Sequence, residues 1–191
     1  MSEVAPARSR RAAREVALRA VYSRLTGQEE LEEAMVGAIA DLPLAPESQE
    51  FAWRIAEGIW HNQRELEDLF IPFLAKGWSI DRLAITDRAV LNLATWELYH
   101  LEGVPPKVTI AEALRLSKRY GSGEGTRFVN AVLGRVLAGS PKANWDPALE
   151  EILDPEPVDP DVDEPEEMIQ EGTPEHDEFV KATPWVIRTD G

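Results

Sequence analysis

The chain has 191 residues, of which 43% are hydrophobic, with no cysteine and a formal net charge of -15. This apolar content suffices for a buried core and argues against global disorder, while the lack of Cys excludes disulfides, thiolate metal sites and a cysteine nucleophile. Arg14, Glu15 and Arg19 interrupt the early apolar run, and no stretch reaches the ~20 apolar residues of a membrane span, so a soluble, cytoplasmic protein without a secretory leader is expected.

The pattern is helical almost throughout. Leu18, Val21, Tyr22 and Leu25 fall at i, i+3, i+4 and i+7, one buried face of a first helix. A second is predicted from Glu29 to Asp41, with Leu31, Ala34, Met35, Ala38 and Ile39 inward, before Pro43 and Pro46 break the chain. Ser48 is a suitable N-cap for a third, which buries Phe51, Ala52, Ile55, Ala56 and Ile59. A fourth carries Leu66, Leu69, Phe70, Phe73 and Leu74, and Pro72 within it predicts a kink or an early end. After a short turn from Ser79 or Asp81, Thr86 or Asp87 starts a helix burying Val90, Leu93, Ala94, Leu98 and Leu101. "TIAE" at Thr109–Glu112 is a capping-box pattern, opening a helix that runs to Tyr120 with Gly121 as its stop. The last helix packs Val129, Val132, Leu133, Val136 and Leu137. The fold class is all-α, about seven helices, over residues 1–140.

Charge divides the chain at that point. Residues 1–140 hold 17 Lys+Arg and 19 Asp+Glu, whereas residues 141–191 hold 3 against 16, together with eight of the 14 prolines. A segment so acidic and so poor in apolar residues cannot offset its chain entropy, and residues 141–191 are expected to be a disordered tail. The body itself is nearly neutral.

Enzyme apparatus is thin. His61, His100 and His176 are scattered, with no pair at metal-ligand spacing on one helix, so neither a metal site nor a cofactor is predicted. "GSGEG" at Gly121–Gly125 follows an amphipathic helix instead of a strand and lacks the Lys-Ser/Thr of a phosphate-binding loop, which favours an inter-helix turn. Two basic constellations stand out. Arg8 precedes Arg10, Arg11 and Arg14, which lie three and four apart on one helix, and an arginine fork suits phosphate. In "GSGEGTRFVNAVLGRVL" the glycine-rich turn leads to a helix N-terminus, with Arg127 as a second phosphate fork and Phe128 as a stacking face off the apolar stripe. Glu124 in the same turn would repel phosphate. A solvated basic face and an ordinary helix-edge Phe are the alternatives.

With both constellations in view, residues 8–138 resemble the NusB family. The resemblance rests on "RRAAREVALRAVY", "ITDRAVLNLATWEL", "VPPKVTIAEALRLSKRYG" and "FVNAVLGRVL", in that order and spacing. It implies two small helical subdomains packed together, and a transcription antitermination factor that binds boxA-type single-stranded RNA jointly with NusE, a ribosomal small-subunit protein. The complex acts on RNA polymerase, notably during ribosomal RNA transcription, and some members self-associate as homodimers. By position, Arg10, Arg11 and Arg14 match the family's arginine-rich start, Tyr22 an aromatic near the RNA, Arg127 and Phe128 a basic-aromatic pair, and Glu124 an acidic position that moderates RNA affinity. Ala131 stands where the motif usually has glycine, and Asn92 where some relatives have a basic residue. Two other readings are a protein-only interaction module and an accessory domain like those of ribosomal RNA cytosine methyltransferases, although no strand–GxGxG–helix unit is present. The acidic tail has no counterpart in the resemblance; it is either a solubilising extension or a tethered competitor of RNA, with "FVKATPWVIR" (179–188) as a short docking peptide.

Overall fold

Ser9 sets the start of the first helix, its hydroxyl accepting from the Ala12 amide at 3.1 Å, and Gly27 ends it in the left-handed conformation at φ 66°. In the computed structural model, which describes residues 6–27 and 29–145, six α-helices follow one another. They are α1 (Arg10–Thr26), α2 (Leu31–Asp41), α3 (Pro46–Phe70), α4 (Ile85–His100), α5 (Pro106–Tyr120) and α6 (Gly123–Gly139), with short 3-10 turns at Ile71–Phe73 and Ile80–Arg82. Helices α1 to α3 form one bundle and α4 to α6 a second, joined where α1 and α3 pack on α4.

α4 is the spine of the fold. Its residues from Ala89 to Leu98 are all buried, so it is enclosed by neighbours on every side. α3 approaches it closely at Gly58, where an added Cβ would stand 2.1 Å from Trp96 Nε1. The same contact line continues to the bidentate pair of Arg88 on Glu67 at 2.8 and 2.9 Å.

Several expectations are refined. The third and fourth predicted helices are one, α3, with non-helical angles only at Asn62, whose side-chain amide donates to the Gly58 carbonyl at 2.8 Å. No proline or glycine between Trp60 and Leu66 forces a break, so the chain bends and continues. Pro72 does bring the early end: α3 stops at Phe70 and the 3-10 turn carries Pro72. α5 begins at Pro106, ahead of the capping-box pattern, because proline suits the first helical position. Thr109 instead donates to Glu97 Oε2 at 3.0 Å. α4 starts at Ile85, so Asp87 lies inside the helix.

Two chain segments outside the helices are tied down. Ala7 pairs with the Pro43–Ala45 strand-like stretch through two backbone hydrogen bonds of 2.8 Å, which holds Arg8 beside a fixed anchor. Beyond α6, Lys142 is 6% exposed and donates to the Glu97 and Val104 carbonyls at 3.0 and 2.6 Å. Packing therefore extends past the expected boundary at residue 140, and the acidic residues from 146 on, with the 179–188 peptide, lie outside the described residues. Among the described residues no helix is long and apolar enough to cross a membrane.

Candidate RNA interface

The N-terminal arginines do not share one environment. Arg8 and Arg10 are exposed, and the Arg10 guanidinium lies 5.4 Å from the centre of the Phe51 ring on α3. Arg11 donates to Glu112 Oε1 of α5 at 2.9 Å while keeping part of its surface open. Arg14 is different. It is fully buried, and its Nε donates to Glu97 Oε1 at 2.7 Å. The expectation that Arg14 faces RNA is therefore corrected: on α1 it sits on the inward side with Ala13, Ala17 and Val21, and its charge is spent on Glu97 in the core.

The second constellation becomes helical earlier than its turn-like reading suggested. Ser122 caps α6, its hydroxyl accepting from the Gly125 amide at 3.0 Å, so Gly123 to Gly125 are the first turn of the helix itself. Two glycines are needed here. An added Cβ at Gly125 would lie 2.6 Å from Asp87 Oδ1, and one at Gly121 would lie 2.8 Å from the Ser117 carbonyl. Asp87 is buried against this turn without a hydrogen bond on Oδ1, and burial raises its carboxyl above the usual range. Glu124 and Arg127 are exposed on the first turns of α6, whereas Phe128 is half-buried against the core. Tyr22, 39% exposed, lies toward the end of α1.

The two clusters lie toward opposite ends of α1. Arg11 reaches Glu112, and Arg19 reaches Tyr120 at 3.3 Å, so α1 and α5 run side by side in the same direction. The α5–α6 turn then brings α6 back from the Arg19 end, with Ser117 and Thr126 hydroxyls 3.2 Å apart. Arg8 and Arg10 thus mark one end, and Arg127, Phe128 and Tyr22 the other. Among the described residues Arg8, Arg10 and Arg127 form no ion pair, which leaves their charge facing solvent.

Between the ends lie residues that sequence reasoning passed over. Arg19, Arg115 and Arg119 converge on Glu15 at 3.3, 3.7 and 3.4 Å. Arg115 and Arg119 are four apart on α5, the same spacing that drew attention to Arg10 and Arg14, so the signal existed but its partner helix was not visible. Asn92 is fully buried, its amide donating to the Arg88 carbonyl at 2.9 Å and to Glu67 Oε1 at 3.3 Å. It belongs to the α3–α4 contact and offers no surface to a ligand.

Comparison with known proteins agrees with this architecture. The profile of the NusB family matches residues 11–138. The transcription antitermination protein NusB of Symbiobacterium thermophilum is 39% identical over 139 residues, covering 69% of this chain and 90% of that protein. The NusB of Nitratidesulfovibrio vulgaris is 36% identical over 131 residues, covering 65% and 85%. Among solved structures, T. maritima NusB superposes with a TM-score of 0.65 at 34% identity, covering 70% of this chain and 94% of that one. NusB in a crystal structure of antitermination factors NusB and NusE with dsRNA shares the fold, with a TM-score of 0.62 at 24% identity over 68% of this chain and 96% of that one. The chain belongs to the NusB family.

Proposed function

We propose that this protein is an RNA-binding transcription antitermination factor that captures boxA-type single-stranded RNA together with NusE and acts on RNA polymerase during ribosomal RNA transcription. The observation that carries the reading is the exposure of Arg8 and Arg10 at the start of α1 and of Arg127, next to the partly buried Phe128, at the start of α6. Arginine forks bind phosphates, and the Phe128 and Tyr22 rings offer faces on which unstacked bases can lie. Arg11, paired with Glu112 but 28% exposed, contributes beside Arg10 on α1. Glu124 opposes phosphate beside Arg127 and holds affinity down. The NusB and NusE complex with dsRNA known for a fold relative supports NusE and RNA as partners, and the family's antitermination role supports the process.

The mechanism is binding without covalent chemistry. Phosphate contacts supply most of the free energy and fix the register of the strand, and the aromatic faces add stacking. The protein alone binds RNA weakly because NusE completes the surface. The test is fluorescence anisotropy of a labelled boxA-type RNA with NusE present, over a range of salt. The wild-type chain binds with a steep salt dependence, and Arg8→Ala/Arg10→Ala/Arg127→Ala weakens binding and flattens it. A triple variant with the wild-type salt slope would sink the assignment of these residues.

A further inference from the structure

The interface of α1 and α5 carries more guanidinium than its carboxylates can absorb. Glu15 and Glu112 are each 5% exposed and lie beneath the surface. Glu15 receives the Tyr120 hydroxyl at 2.5 Å and stands within 3.3 to 3.7 Å of Arg19, Arg119 and Arg115. Glu112 accepts from Arg11 and from Arg115, both at 2.9 Å. Asp41 adds one more acid at 3.5 Å from Arg19, but it is itself largely in water and compensates little. Four arginines thus rest on two buried acids. Arg115 Nη2 is buried and has no hydrogen-bond partner. The arginine side chains, 28, 32, 20 and 58% exposed at Arg11, Arg19, Arg115 and Arg119, lie nearer solvent than the two acid side chains at 7%.

We propose that this ladder, Arg11, Arg19, Arg115 and Arg119 over Glu15 and Glu112, is a phosphodiester track that guides the RNA backbone between the Arg8/Arg10 end and the Arg127/Phe128 end. The inference rests on the RNA-binding reading above. From Arg11 to Arg19 the track runs about 12 Å along α1, at ~1.5 Å of rise per residue. Its buried carboxylates order the guanidiniums during folding, so little side-chain entropy is left to lose when a phosphate arrives. A phosphate contact fixes the register of the strand without reading its bases. The track therefore binds any RNA sequence alike, adding affinity with length and leaving base choice to the two ends.

The experiment compares wild-type chain with Arg115→Gln/Arg119→Gln, both with NusE, binding a boxA-type RNA and a scrambled RNA of equal length across a salt series. Thermal unfolding checks that each variant is folded. Arg119→Gln alone, at a side chain 58% exposed, serves if the double variant is not. The expected result is weaker binding by the same factor on both RNAs, with the magnitude of the salt slope reduced by about 0.7 per arginine removed. Wild-type slope in a folded variant overturns the track while leaving the RNA-binding reading intact. Tighter RNA binding by the variant also overturns it, and assigns the ladder to an acidic peptide such as the chain beyond Trp145. Absence of wild-type binding even at low salt removes the reading on which the track depends.

Discussion

Arg14 and Glu97 meet at 2.7 Å with both side chains fully buried, the arginine from α1 and the glutamate from α4. Around them Thr109 donates to the second carboxylate oxygen at 3.0 Å, and Lys142 donates to the Glu97 backbone carbonyl at 3.0 Å. One ion pair thus ties the first helical bundle to the second. Removing one partner strands the other charge away from water, so Arg14→Ala is expected to destabilise the fold by about 3–5 kcal/mol. Chemical denaturation measures this directly. A change confined to RNA affinity, with stability kept, would return Arg14 to the RNA surface.

Gly58 is predicted to be the least replaceable glycine of the α3–α4 contact. A methyl group there would stand 2.1 Å from the indole of Trp96, which is buried and flanked by the His100 ring at 5.7 Å. Either the helices separate or the indole leaves its place. Gly58→Ala should therefore lower stability by about 1–3 kcal/mol despite alanine's better helix propensity. Gly37 and Gly134, whose added Cβ would meet nothing within 4 Å, are the control positions, where alanine should be neutral or stabilising.

Lys142 gives a pH signature. Burial lowers its pKa, Glu97 pulls the other way, and the nearby Arg14 charge lowers it further, to about 8 from an ordinary 10.5. Between those values the unfolded chain holds a proton that the folded chain has released, so stability due to this group rises with pH across that window. Wild-type chain compared with Lys142→Met should show this as a stability difference that shifts in favour of wild type from about pH 8 to 10.5. Urea melts at matched pH values would expose it, and a difference that stays flat would place the Lys142 pKa in the ordinary range.

Arg127 and Phe128 should fail in different ways. Arg127→Ala removes a phosphate contact and lowers the magnitude of the salt slope by about 0.7. Phe128→Ala removes a stacking face, costing about 1–3 kcal/mol of RNA binding while leaving the slope unchanged. Glu124→Gln should strengthen binding, most at low salt, because it deletes an exposed like charge beside the phosphates. Anisotropy titrations at several salt concentrations separate all three.

Much of this was legible before the tertiary structure. Hydrophobic periodicity located the helices other than α5, which its capping-box pattern marked, although it divided α3 in two and placed Tyr22, which is 39% exposed, on a buried face. Pro72 marked the end of α3 because proline cannot continue the helical hydrogen bonds. The basic-aromatic pair at Arg127 and Phe128 could be read from its place just after a capped turn. The contrast between a near-neutral body and a strongly acidic tail is a matter of composition alone.

What the sequence left undecided were relationships across space. Arg10 and Arg14 share one spacing on one helix, yet Arg10 lies over Phe51 in solvent and Arg14 is sealed against Glu97, because only packing selects which side of α1 meets α4. The break expected between the third and fourth helices vanished because Asn62 bonds back to Gly58 and lets α3 bend. Thr109 and Glu112 looked like a cap and instead serve Glu97 and Arg11, partners 12 and 101 residues away. The arginines of α5 acquire their meaning only beside α1. Local propensity determined the helices, and long-range burial of charge decided which arginines stay exposed.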